Sequence, residues 1–178
     1  MSKPKLSDFK KLLTNLSHEE LKEEMLKLFQ KLPQVQAFYA QDFSSPEDRQ
    51  KILADYKNKI YNQFWTRGGN PKIPTGTALK LIIDEFEKVC VSQAELAELL
   101  LYRVDCCMEQ ANELGGTSDG AYNTALTAFE KAVKIVVKEK LEQELEMQCR
   151  HVARNRGNMD GWPIDQMDYW LEEYFDEL

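Results

Sequence analysis

The chain has 178 residues, of which 43% are hydrophobic and 30% charged, and a formal net charge of -7. This composition is typical of a globular protein and excludes a disordered one, and the length allows one domain with a sizeable core. The acidic balance disfavours a general nucleic-acid coat. No apolar run approaches the ~20 residues that a membrane span needs, and the first ten residues lack a hydrophobic signal core. We therefore expect a cytoplasmic protein with no membrane partner.

Helical periodicity of apolar residues runs through nearly the whole chain. It predicts an all-α fold of eight or so helices, arranged as an irregular bundle or a short helical-repeat-like array, in a single domain over residues 1–178. A first short helix is expected from Leu6, and Ser17 with Glu20 forms a capping box that opens the second. Ser45 and Pro46 begin a longer helix whose apolar stripe extends to Phe64.

The outer face of that longer helix and the loop after it are basic and lie beside Tyr61 and Trp65. Cations bind phosphates and flat rings stack on bases, so this face is a candidate site for single-stranded nucleic acid. The simpler interpretation, which we favour, is a buried aromatic stripe with solvated cations outside it. The candidate nucleic-acid contacts are Arg49, Lys57, Arg67 and Lys72.

The segment 67–76 is rich in glycine and proline, which predicts a loop. It precedes a helix capped by Thr75 or Thr77. A helix N-terminus behind a cationic loop can hold an anion, but an ordinary connector is the favoured interpretation.

Ser92 and Glu95 predict a second capping box, opening a helix that runs to about Leu114. Its apolar residues surround the whole circumference, which predicts a central helix with neighbours on several sides. The adjacent Cys106 and Cys107 point in different directions on this helix, which favours two buried thiols over a metal or redox site.

One long helix is expected from about 118 to 156, because no proline interrupts this stretch and no glycine follows Gly120. Its two halves bury different sides: at ~100° per residue, the apolar set of the second half lies about 120° from that of the first. The second half should pack on the C-terminal helix, on another subunit, or on both. The predicted interaction surface comprises Leu141, Leu145, Cys149, Arg150, Val152, Arg154 and Trp162.

The last segment is acidic, whereas the end of the long helix gathers Arg150, Arg154 and Arg156. Pro163 lies in the first turn of a final helix, and Asp165 is well placed for its dipole. We hypothesise that this acidic helix folds back towards the arginines or meets a basic partner.

No motif in the chain indicates a chemistry. The two histidines have no metal-ligand spacing, and the nucleophile, dinucleotide and P-loop signatures do not occur. We therefore expect no catalytic, metal or cofactor site and a protein that is not an enzyme. The favoured function is a helical interaction or scaffold protein that self-associates or binds a protein partner. The alternative is a nucleic-acid-associated regulator that uses the basic aromatic face around residues 49–72.

Two sequence patterns carry a resemblance to a known family. One is LLTNLSHEEL from Leu12, followed by LFQKLP from Leu28, and the other is GWPIDQMDYW from Gly161. Together they resemble an all-helical bacterial family described as a domain of unknown function. The first pattern is also similar to helical segments of zinc-finger and solenoid-repeat proteins. The resemblance implies helices and a bacterial origin, and it supplies no catalytic residues.

Overall fold

The computed structural model of the chain describes residues 5–39, 43–90, 92–155 and 164–176. Within these ranges every regular element is helical, so the predicted all-α class is confirmed. Backbone contacts divide the chain into two compact units, an N-terminal unit of residues 1–43 and a C-terminal unit of residues 44–178. A single domain over 1–178 stays a prediction.

The N-terminal unit contains α1 (Leu6–Thr14), α2 (His18–Lys31) and α3 (Pro33–Tyr39). The described part of the C-terminal unit contains α4 (Pro46–Phe64), α5 (Gly76–Val89), α6 (Gln93–Leu114), α7 (Asp119–Lys138), α8 (Glu142–Arg154) and α9 (Ile164–Leu171). A π-helical turn, Glu172–Asp176, continues α9. Among these helices none combines the length and the apolar character needed to cross a membrane.

Helix α6 is the central element of the C-terminal unit, as its apolar circumference predicts. It packs against α4, α5, α7 and α8, and side chains such as Leu99 and Val104 are fully buried. Helix α7 packs along α6 and also contacts α8 and α9, and its Phe129 and Val133 are fully buried. The C-terminal unit therefore has one contiguous hydrophobic core.

Three helix starts follow the predicted capping chemistry. The Ser17 backbone N–H donates to the Glu20 carboxylate at 2.8 Å, and the Ser17 hydroxyl accepts from the Glu20 backbone N–H at 3.3 Å. Ser45 and Thr75 cap α4 and α5 through their side-chain oxygens. Because each signal acts over three residues, the local sequence is sufficient to specify it.

The predicted capping box at Ser92 is wrong, because neither of its two reciprocal hydrogen bonds with Glu95 forms. The Ser92 hydroxyl accepts from the Ala94 backbone N–H at 3.2 Å and so still caps α6. Glu95, however, points to α4, where its carboxylate lies 3.6 Å from Arg49 Nε. A long-range ion pair has replaced the local reciprocal hydrogen bond.

The predicted single helix over 118–156 is also corrected, because the structure divides it into two. Ser118 caps α7 as expected, with its hydroxyl 3.2 Å from the Ala121 backbone N–H. Helix α7 ends at Lys138 and α8 begins at Glu142. Between them Lys140 has φ of 57°, in the left-handed region that interrupts a right-handed helix. The change of direction lets the apolar faces of both halves, offset by about 120°, meet one core.

Candidate functional site

Helices α1 and α2 of the N-terminal unit differ from ordinary helices of a folded domain in having no buried side. No side chain of α1 or α2 is buried. Local contacts hold the end of this unit together: the Gln36 side chain donates to the Phe29 carbonyl at 2.8 Å, and the Phe29 and Tyr39 rings lie 6.4 Å apart. These contacts order α3 against α2 but leave the apolar side chains of both longer helices in solvent.

Those apolar side chains form the surface that we call the N-terminal apolar face. Its members are large, recur at helical spacings of three and four, and are each between 36% and 68% exposed. They are Leu6, Phe9, Leu12, Leu13, Met25, Leu26, Leu28, Phe29 and Leu32. Many large apolar side chains exposed along one segment indicate an interaction surface. This face is therefore the leading candidate for binding a partner.

The interaction surface predicted on the second half of the long helix lies mostly in the chain's own core. Leu145, Cys149 and Val152 are 8%, 0% and 2% exposed, and Leu141 packs partly buried against the same core. Helix α8 lies against α6 and α9. Packing on the C-terminal helix, one of the arrangements expected from the sequence, is thus observed. Side chains buried in the chain's own core offer no free surface.

Of the arginines near the end of this helix, Arg150 contacts other side chains and Arg154 is exposed. Arg150 Nε donates to Glu146 at 2.8 Å, and its guanidinium lies 5.8 Å from the centre of the Phe175 ring in the turn after α9. This cation–π contact joins α8 to the C-terminal segment. Arg154 is exposed, whereas Trp162 and Arg156 lie outside the described residues.

The basic candidates for nucleic-acid binding are partly neutralised by neighbouring carboxylates. Besides the Arg49–Glu95 pair, Lys57 Nζ donates to Glu98 at 2.6 Å. The carboxylates of α6 thus pair with both of the candidate cations that lie on α4. The other two are exposed in the loop after α4: Arg67 and Lys72.

The aromatic part of the same face lies in an acidic setting. The Tyr61 and Trp65 rings stack with their centres 4.8 Å apart, and Tyr61 is 40% exposed while Trp65 is 8% exposed. A cavity of about 440 Å³ beside them is also lined by Glu109 and Glu113. Carboxylates next to the stacking ring repel a phosphate backbone, so this geometry opposes nucleic-acid binding.

A residue that sequence reasoning missed is Arg103, in the middle of α6. It is half-buried and lines two cavities that adjoin α5 and α7. A signal was present in the sequence, because Arg103 is the sole basic residue between Gln93 and Leu114 and follows a run of leucines. A lone cation on the most buried helix of a core requires an explanation.

Three of the four cysteines of the C-terminal unit, Cys106, Cys107 and Cys149, are buried. All four are free. Burial raises the pKa of Cys106 and of Cys149 to about 12 and that of Cys107 to about 11. Since the thiolate is the nucleophile and the metal ligand, these buried thiols act as small apolar side chains. Among the described residues, no group of three or more histidine, cysteine or carboxylate side chains is arranged to hold a metal ion.

Comparison with known proteins gives one match. Residues 1–168 match the family model described as "Family of unknown function (DUF6155)". No curated protein and no solved structure matches the chain. Because the family model spans all but the last ten residues, this chain belongs to that family.

Proposed function

We propose that this chain is a non-enzymatic interaction protein that self-associates through the N-terminal apolar face. The observation that carries the proposal is that α1 and α2 bury no side chain, while the segment 6–32 that contains them exposes nine large apolar side chains. The proposal keeps the function expected from the sequence but places the interacting surface in the N-terminal unit instead of on α8.

Short helices are unstable in water unless their apolar faces are packed. Isolated helices below ~12–15 residues are marginal in water, and most helical stability in proteins comes from packing an apolar face. Helix α1 has 9 residues and α2 has 14, and neither has a buried side chain. Their folded state therefore needs a surface that covers the apolar face.

The exposed area suits a second copy of the same chain as that surface. At ~150–250 Å² for a large apolar residue, the exposed fractions of the nine side chains leave on the order of 700 Å² per chain. A standard protein interface buries about 800 Å² per partner, so pairing this face with itself would form an interface of ordinary size.

The charges beside the N-terminal apolar face also favour a second copy of the chain as its partner. Helix α1 carries Lys10 and Lys11 with Asp8, a net +1, whereas the first half of α2 carries four glutamates with Lys22, a net -3. In a two-fold symmetric pair, α1 of each copy can lie against α2 of the other, so this complementarity is used twice. A second copy therefore satisfies both the apolar and the charged part of the surface.

Light scattering coupled to size exclusion tests the proposal. We expect the full chain to have twice its 20.7 kDa mass, and the double variant Phe9→Asp/Phe29→Asp to have the mass of one chain. The matched control is Leu81→Asp, which places the same charge at a 57% exposed apolar position of α5 and should leave the dimer intact. A wild-type chain that stays monomeric at millimolar concentration, or a double variant that still dimerises, overturns self-association.

We do not propose the nucleic-acid alternative, because Glu95 and Glu98 neutralise its α4 cations and carboxylates flank its exposed ring. We do propose a cytoplasmic setting, which suits four free cysteines placed in helices. The bacterial origin remains what the resemblance implies.

A further inference from the structure

Arg103 is a charged group in the interior without a described counter-charge. It projects from the central helix α6, is half-buried, and makes no ion pair or hydrogen bond among the described residues. Burial lowers the pKa of its guanidinium. Removing a cation from water without pairing it is costly, and such a cost is retained where an external anion offsets it.

The space around Arg103 is large enough for a ligand. Two cavities of about 660 and 190 Å³ adjoin each other, and both are lined by Arg103, Gly76 and Thr124. We call the two together the α5–α7 cleft. Ligand pockets in proteins occupy ~300–1,000 Å³, so the cleft falls in the range for a small organic molecule.

The charges lining the larger cavity are mainly positive although the chain as a whole carries -7. Lys80 and Lys131 join Arg103 there, and Asp84 is the acidic lining residue. Lys131 is held by Glu87, whereas Lys80 has no described ion-pair partner and remains exposed. A positive cleft in an acidic protein concentrates small anions at its mouth.

Backbone donors add to these cations. Helix α5 begins at Gly76, and Thr75 satisfies the N–H of Ala78. The N–H groups of Gly76 and Thr77 precede the first intrahelical hydrogen bond and lie at the positive end of the helix dipole, where both residues line the cleft. The Thr124 hydroxyl already donates to the Ala121 carbonyl at 2.9 Å, so its oxygen is left as an acceptor.

The remaining wall of the cleft is apolar. Ile83, Leu100 and Ala128 line the larger cavity, and Phe64 and Leu79 line the smaller one. An inorganic ion would leave this surface in contact with water, whereas an organic anion would cover it. Arginine presents a planar fork of donors that matches a carboxylate or a phosphate with two hydrogen bonds.

We propose that the α5–α7 cleft binds a small organic oxyanion, whose carboxylate or phosphate is held by Arg103, Lys80 and the first amides of α5. The apolar part of the ligand packs on Ile83 and Leu100. This site lies wholly within the C-terminal unit and is independent of the N-terminal apolar face. The chain thus carries a ligand-binding function in addition to its proposed self-association.

Thermal melting of the full chain with three sodium salts at matched ionic strength tests the proposal. The salts are chloride, phosphate and hexanoate, of which hexanoate carries both a carboxylate and an apolar chain. A ligand at about 100 times its Kd raises the folding equilibrium constant about 100-fold, so hexanoate or phosphate should raise the Tm above its value in chloride. Because phosphate also stabilises proteins by exclusion from their surface, the bound oxyanion is the one whose effect on Tm is lost in Arg103→Met.

The variants make the test specific. Arg103→Met should weaken the binding of the effective anion by about 10- to 100-fold in a calorimetric titration, since a charge-assisted hydrogen bond is lost. Without anion the same variant should melt at or above the wild-type temperature, because it removes a desolvated charge. The control Arg67→Met makes the same replacement in an exposed loop outside the cleft and should bind as the wild type does.

If Arg103→Met does not fold, Lys80→Gln is the second variant, since Lys80 is exposed and its replacement leaves the core intact. It should weaken binding while Arg67→Met does not. The proposal is overturned if neither oxyanion raises the wild-type Tm above that in chloride, or if Arg103→Met and Lys80→Gln bind the anion with wild-type affinity.

Discussion

Replacing Lys140 with glycine is expected to stabilise the C-terminal unit. Lys140 lies between α7 and α8 with φ of 57° and is exposed. The left-handed conformation costs a residue with a Cβ about 1–2 kcal/mol, and glycine adopts it without that cost. The greater conformational freedom of glycine in the unfolded chain lowers this gain in stability by about 0.5–1 kcal/mol. The net gain is about 0.5–1 kcal/mol, or a rise in Tm of about 1–4 °C for a chain of this size.

The matched control is Lys134→Gly, six residues earlier in the interior of α7. There the backbone is helical and Lys134 Nζ donates to Glu130 at 2.7 Å. Glycine in a helix interior costs about 1 kcal/mol, and loss of the ion pair adds a few tenths. Substitution by glycine is therefore expected to raise the free energy of unfolding at Lys140 and to lower it at Lys134.

Urea unfolding, monitored by tryptophan fluorescence, measures the free energy of unfolding of both variants. All three tryptophans lie in residues 44–178, so the signal reports the C-terminal unit. If Lys140→Gly lowers the free energy of unfolding as Lys134→Gly does, then α7 and α8 form one continuous helix in solution and the break between them is refuted.

Two further predictions concern the core. Phe129→Ala should cost about 3–5 kcal/mol by urea unfolding, because Phe129 is fully buried against the Trp170 ring. Tyr169→Ala, at a 55% exposed position of α9, should change stability by less than about 0.5 kcal/mol; equal effects would mean that the core is misplaced. The free energy of unfolding should also fall as pH rises above about 8.5, where unfolded thiols ionise but the buried ones, with pKa values of about 11 to 12, do not. Below about pH 8.5 the thiols are neutral in both states and their full contribution to stability is present. Above that pH, each buried thiol lowers the free energy of unfolding by up to about 1.4 kcal/mol per pH unit. Cys149→Ala should make the decline shallower, and an unchanged slope would contradict the burial of Cys149.

Features that depend on near neighbours in the sequence could be predicted. The capping box at Ser17 joins groups three residues apart, and the apolar circumference of α6 is visible as an uninterrupted pattern. The 120° offset between the two apolar faces of 118–156 could be read from the sequence at ~100° per residue, but we interpreted it as one long helix whose halves pack on different neighbours. The offset did not indicate where the helix would break, because Lys140 has no side-chain feature that favours the left-handed region.

Features that depend on distant partners could not be predicted. Glu95 has the spacing of a capping residue, but Arg49 of α4 is available to it in the folded chain. Leu145 and Cys149 form an apolar stripe that suits either a partner or the chain's own core, and the positions of α6 and α9 decide between the two. Arg103 is visible as a lone cation, but the cleft that it lines is formed with α5 and α7, whose placement is a property of the fold.

The central claim, that the N-terminal helices depend on a second copy, is tested most directly by hydrogen exchange of residues 6–32 as a function of protein concentration. If association covers the N-terminal apolar face, amide protection in α1 and α2 should rise from micromolar to millimolar concentration together with the dimer mass. Amides in α6 should show constant protection, because their core lies within one chain. Protection of α1 and α2 that is the same at every concentration would contradict the claim.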